Sequence, residues 1–234
     1  VAVKDVIEYN EVVISTRTMP LEAWKRMYMF AWVIQTFHCL ALTQYLSIYF
    51  HEAVNLSYRR FYEQLLQYAE QHPDTLIGRE YRSVLQTVEN AVSGGSWDIT
   101  LPEYGDIIWP TEEASFLRLI RNWNAVHREL IYFTREYLFS MISPIPQQIV
   151  NELHTYQYHG VSSPDVHGDF YFESCFDFPK FFENVYIGQK HALGKGWFRI
   201  AVNVQSYTDF EEYAKRVVWY GRKGGATRFK NIRE

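Results

Sequence analysis

The chain has 234 residues, 47% hydrophobic and 21% charged, which excludes a disordered segment and leaves room for a sizeable core. Its formal net charge of −4 offers no broad positive field, so nucleic acid is not an expected partner. Two distant cysteines, Cys39 and Cys175, form no C-x-x-C pair; they do not support a zinc ribbon or an iron–sulfur cluster held by this chain, and read as buried thiols in a reducing cytoplasm.

In chain order, the β-branched stretches Val1-Ala2-Val3 and Val12-Val13-Ile14 predict one or two strands within residues 1–15. The chain opens without Met and without a signal-peptide pattern, so residues 1–17 read as a linker from a preceding domain. Thr18 as cap, Pro20 in the first turn and Glu22 at the positive end of the dipole predict a helix running to about Glu52. Met27 to Phe50 carries no formal charge and is long enough to span a bilayer, for which about 20 apolar residues suffice. Gln35, Thr36, His38, Thr43, Gln44 and Ser47 in its middle would lack partners in lipid, so a helix buried at the centre of a bundle is the better reading.

Ser57 predicts the cap of a second helix with Phe61, Leu65, Leu66 and Tyr68 as its apolar stripe, ended by His72-Pro73-Asp74. A third is expected from about Thr75 to Val92, and Trp97–Trp109 reads as an irregular loop packed on the bundle. Apolar residues from Phe116 to Leu138 recur at three- and four-residue intervals and predict one regular helix from Pro110 to about Met141, broken by Pro144 and Pro146. A shorter helix is expected from about Gln147 to Tyr158. Beyond Gly160 the pattern changes to a strand over Asp169–Phe176, a helical turn over Pro179–Tyr186, a turn at Gly194 and Gly196, a strand over Trp197–Val204, and a last helix capped at Thr208-Asp209 and reaching Tyr220. The expected fold is mainly α: a multi-helix bundle over 18–160 around a buried central helix, with a small α+β element over 161–234 packed on it.

Few constellations carry chemistry. Asp165, His167 and Asp169 would share one face of an extended chain and converge on a metal, as a hydrolase would require. Gly168 and Ser162-Ser163-Pro164 favour a turn, where the alternation fails, so a polar loop is expected. The segment also evokes D-x-H-x-x-G, but Phe170 occupies the glycine position. His38 beside Cys39 suggests a nucleophile pair, yet adjacent helical residues point about 100° apart. Gln35 and His38, three apart, share a face with Trp24, Tyr28, Ala31 and Leu42, where they would line a cleft or form a hydrogen-bonded core pair. His127-Arg128-Glu129 lacks the H-E-x-x-H spacing, and no phosphate-binding glycine motif or nucleophile elbow occurs. Arg222-Lys223-Gly224-Gly225 would hold an anion or form a flexible basic loop with Arg228, Lys230 and Arg233.

The run Glu11-Val12-Val13-Ile14-Ser15-Thr16-Arg17-Thr18-Met19-Pro20, with Trp24-Lys25-Arg26 and Phe30 to His38, resembles the C-terminal region of cobalamin-binding radical S-adenosylmethionine (SAM) proteins. Ser57 to Tyr62 and Val218 to Gly225 are similar too. The resemblance implies an upstream cobalamin-binding domain and a radical SAM barrel whose C-x-x-x-C-x-x-C motif holds a [4Fe–4S] cluster. It implies no catalytic, cofactor-binding or metal residue in this chain, since neither motif is present. The expected role is a non-catalytic accessory domain that covers the barrel or shapes substrate access, with Tyr28, Gln35, His38, Arg222 and Lys223 facing substrate. The parent would be a methyltransferase or another radical modifier. The alternative is a self-contained helical module for protein interaction or homo-oligomerisation.

Overall fold

The computed structural model describes residues 11–161, 163–189, 192–220 and 229–232. Val1-Ala2-Val3 lies outside them, and Val12-Val13-Ile14 forms no strand: Val12 and Val13 are exposed and pair with no strand among the described residues, without which β propensity alone does not make a strand.

Helix α1 (Leu21–Val33) starts after Pro20, whose extended backbone provides no side-chain cap; the hydroxyl that accepts the Met19 N–H belongs to Thr16 and not Thr18. The long first helix expected from the sequence is interrupted. A π-helical segment, Ile34–Cys39, and a turn at 40–43 with Ala41 at φ 69° separate α1 from α2 (Gln44–Val54). Tyr45 to Phe50 are all buried, so α2 alone is the central helix.

The next two helices follow their local signals. The Ser57 hydroxyl accepts the Arg60 N–H at the start of α3 (Tyr58–Gln71), and the Thr75 hydroxyl accepts the Gly78 N–H at the start of α4 (Leu76–Val92). Gly78 is required by close approach: a Cβ there would lie 2.0 Å from the His72 carbonyl oxygen. The Glu129 carboxylate completes that cap by accepting the N–H groups of Leu76 and Ile77 at 2.7 and 3.0 Å.

Within the expected loop, β1 (Ile99–Thr100) and β2 (Ile108–Trp109) form a short antiparallel pair. The helix expected over 110–141 is also broken, into α5 (Thr111–Ile120) and α6 (Trp123–Phe133), then a π-helical segment over Thr134–Leu138 and a 3-10 turn over Phe139–Met141. Asn122 leaves helical geometry (φ −121°, ψ 34°), and the Thr134 hydroxyl bonds back to the Leu130 carbonyl at 2.9 Å, a contact that bends helices. Helix α7 (Gln147–Gly160) then returns across the bundle to pack on α2.

The last third holds β3 (Phe170–Phe176), α8 (Phe178–Tyr186), β4 (Lys195–Val202), α9 (Phe210–Tyr213) with its π-helical extension Ala214–Trp219, and β5 (Phe229–Ile232). The three strands form an antiparallel sheet in the order β3-β4-β5. Gly196 lies within β4, not in a turn. Phe229 stacks on Tyr156 at 4.0 Å, which docks the sheet onto α7. Asp177 and Asp209 cap α8 and α9. A polar chain ties α1 to α4 and α5: Trp32 donates to Ser115 at 2.8 Å, Ser115 to Glu80 at 2.7 Å, and Arg118 pairs with Glu80 at 2.6 Å. No helix among the described residues is long and apolar enough to cross a membrane.

Candidate functional site

The break between α1 and α2 gathers the polar residues that interrupt the apolar run. No Gly or Pro lies within 34–43, so the break is stabilised from outside. Gln157 on α7, fully buried, donates its amide N–H to the Ala41 carbonyl at 2.7 Å and accepts the N–H groups of Tyr45 and Leu46 at 2.9 and 3.4 Å. It thereby caps α2, whose own Thr43 makes no side-chain cap; the Thr43 hydroxyl instead donates to the Phe37 carbonyl at 3.1 Å.

His38 sits in this break with Nδ1 2.9 Å from the Tyr62 hydroxyl and 3.0 Å from Ser47 Oγ. Ser47 donates its proton to the Gln44 carbonyl and Thr43 donates to Phe37, so only the Tyr62 proton and the proton choice at His38 Nδ1 are left to order the group. Desolvation lowers the His38 pKa and raises that of Tyr62, so a neutral imidazole faces a protonated phenol. Such a pair can orient a hydrogen bond but holds no ready nucleophile. Cys39 is exposed and Cys175 half-buried, contrary to the expectation of two buried thiols, because Cys39 ends the π-helical segment on its outer side. Desolvation and the Glu112 carboxylate both raise the Cys39 pKa, which disfavours the thiolate a nucleophile pair would need.

Tyr28 points elsewhere. Its hydroxyl donates to Thr111 at 3.0 Å, and its ring packs on Trp24 and Trp97 at 5.6 and 5.2 Å. Gln35 is exposed on the π-helical segment. Tyr28, Gln35 and His38 share no hydrogen bond or ring contact among the described residues, and Arg222 and Lys223 lie outside them. Residues 163–169 form the turn that Gly168, at φ 76°, requires. Asp169 accepts the Val204 N–H at 2.7 Å, while Asp165 and His167 are exposed.

A histidine pair that spacing does not reveal lies between α6 and α7. His127 donates from Nε2 to the His154 carbonyl at 2.9 Å, and their rings are 5.4 Å apart. The Thr134 hydroxyl is spent on Leu130, so it accepts from His154 Nε2 at 3.1 Å, leaving the buried His154 Nδ1 as a lone pair without a partner. Desolvation pushes His127 down to about 4 and His154 to about 3, so both are neutral at pH 7. They are 27 residues apart on different helices, and only the packing of α7 against α6 brings them together.

The donor set does not fit a [4Fe–4S] cluster: the two cysteines sit on separate elements, whereas such clusters take several converging thiolates. Among the described residues no group of three or more His, Cys, Asp or Glu gathers to hold a metal.

No protein-family model matches the chain. It is 29% identical over 175 residues to the cobalamin-dependent radical SAM methyltransferase TokK of Streptomyces tokunonensis, an alignment covering 69% of this chain and 25% of that protein. It is 34% identical over 77 residues to the 2-(S-pantetheinyl)-carbapenam-3-carboxylate methyltransferase of Streptantibioticus cattleyicolor, covering 33% of this chain and 11% of that protein. The chain therefore spans about a quarter or less of the length of these curated relatives.

Proposed function

We propose that this chain is a non-catalytic accessory region of a larger cobalamin-dependent radical SAM methyltransferase, packed on the radical-generating barrel so as to shape substrate access. The observation that carries the reading is the likeness to TokK over 69% of this chain but only 25% of that protein, joined to a pair of cysteines that does not fit a [4Fe–4S] cluster. The division of labour has a physical basis. A radical intermediate must be kept from water and stray hydrogen donors, and a closely packed aromatic bundle excludes both. The polar break between α1 and α2, with Gln35 exposed and the neutral His38 half-buried, is the surface assigned to substrate. Arg222 and Lys223 are assigned to the same role from the sequence.

The test is anaerobic incubation of the chain with iron, sulfide, SAM and hydroxocobalamin, followed by desalting and absorption spectroscopy. No stoichiometric cluster or corrinoid is expected to remain with the protein; stoichiometric uptake overturns the reading. In the parent enzyme, removing these residues is expected to preserve cluster binding while methyl transfer is lost. Retention of full methyl transfer also overturns it.

A second reading, a self-contained interaction or oligomerisation module, draws on the outer face of the C-terminal sheet. Tyr171 and Trp197 are 54% and 59% exposed there, and the Arg199 guanidinium lies 3.3 Å from the centre of the Tyr171 ring. A stable homo-oligomer of the chain in light scattering would favour this alternative.

A further inference from the structure

The break between α5 and α6 opens a cleft of about 370 Å³, within the range of small-molecule pockets. Its floor is aromatic. Trp123 and Tyr158 stack with ring centres 6.0 Å apart and planes 9° from parallel, and the Trp123 indole N–H donates to the Tyr158 carbonyl at 3.0 Å. The rim is rich in hydrogen-bond donors. Tyr158 donates its hydroxyl to the Asn124 amide oxygen, which fixes that amide and leaves its NH2 group as the free end. Arg128 stands four residues further along α6, one turn from Asn124 on the same side of the helix, and makes no hydrogen bond or ion pair among the described residues. Arg121 also lines the cleft but is committed: it pairs with Glu103 at 3.2 Å and lies over the Phe210 ring at 5.2 Å. One carboxylate, Asp165, also lines the cleft.

We propose that this cleft binds a small organic carboxylate, its apolar body on the Trp123–Tyr158 floor and its carboxylate between the Arg128 guanidinium and the Asn124 amide. The planar guanidinium fork matches a carboxylate better than a point charge would, and an exposed, uncommitted arginine has the freedom to form it. Asp165 selects among anions. It repels a phosphate dianion roughly twice as strongly as a carboxylate at the same distance, which offsets the stronger pull of Arg128 on the dianion and leaves the aromatic floor, of no use to phosphate, to favour the organic carboxylate. The positive end of α6 favours an anion of either charge. The cleft shares no lining residue with the α1–α2 break, and its ligand does not depend on the accessory role.

Titration of the full isotope-labelled chain with benzoate, followed by NMR, tests the assignment. Saturable shifts of the Trp123 indole and Asn124 side-chain amide signals are expected. The neutral isostere benzamide should bind at least tenfold more weakly, and inorganic phosphate more weakly than benzoate. Arg128→Gln, an exposed substitution, should weaken benzoate binding about tenfold with the remaining spectrum unchanged. Asp165→Asn should narrow the gap between phosphate and benzoate. Absence of saturable shifts, equal binding of benzamide, or an Arg128→Gln variant that binds benzoate as the parent does would each overturn it.

Discussion

The α3–α4 hairpin and the α1–α2 pair are both helix–turn–helix units in the same bundle, but their ends are held by different means. In the hairpin, Ser57 and Thr75 cap helices that begin one residue later, with Glu129 adding only to the second of these local caps, and Pro73 stands in the turn between them. In the α1–α2 pair no local residue caps α2, and Gln157, more than a hundred residues away, supplies both the N-terminal acceptor and the donor to the turn. The lesson is that a helix boundary made by neighbours is a property of the segment, whereas one made by a distant amide is a property of the whole fold.

Gln157→Leu tests this most severely. It keeps the volume but strands the N–H groups of Tyr45 and Leu46 and the Ala41 carbonyl in a buried site. The loss should be about 4 kcal/mol in urea unfolding, a loss of under 1 kcal/mol refuting the claim that Gln157 maintains the break. The α6–α7 seam offers a second such case. His127 and His154 are neutral in the fold with pKa values near 4 and 3, while the unfolded chain takes up protons below about 6.5. Stability should therefore be insensitive to these groups above pH 7 and fall as pH drops from about 6.5 toward 4. At pH 5 each histidine costs about 2 kcal/mol. His127→Gln, which retains a donor for the His154 carbonyl, should remove about that much of the difference between the unfolding free energies measured in urea at pH 7 and pH 5; an unchanged difference counts against a buried neutral His127.

Local caps should matter less. Ser57→Ala should cost about 1 kcal/mol, measured by thermal unfolding, and the loss should not depend on whether Gln157 is present. Strong coupling between the two would break the contrast between the regions. The smallest effect carries the opposite sign. Ala41 holds a left-handed backbone at φ 69°, so Ala41→Gly should stabilise by about 0.5 kcal/mol, the relief of strain being partly offset by the entropy of the unfolded glycine. Destabilisation on that change would mean that the Ala41 methyl contributes more packing than its backbone stores strain.

Local signals revealed α3, α4, α7, β3 and β4, because each combines apolar or aromatic patterning with cap or stop residues in or beside its own segment. They also marked one long helix from about Pro20 to Glu52 and another from Pro110 to about Met141, and most of both stretches is helical. The interruptions were not visible. Asn122 and Thr134 are ordinary helix residues until Arg121 finds Glu103 and Phe210 and Thr134 turns back to Leu130. The polar residues of the first stretch argued against lipid, and the Tyr62 hydroxyl that partners His38 appears only when α3 packs beside the break. The histidine pair and the α5–α6 cleft left no pattern at all, since their parts come from segments some thirty to forty residues apart.

By itself the sequence determined a mainly helical chain with an aromatic core, because composition, apolar period and cap residues act over a few neighbours. The tertiary structure alone decided where the two long helices stop, which histidines lose water, and where a cleft opens. Those outcomes depend on hydrogen bonds and desolvation between elements remote in the chain, and short-range preference carries no information about such meetings.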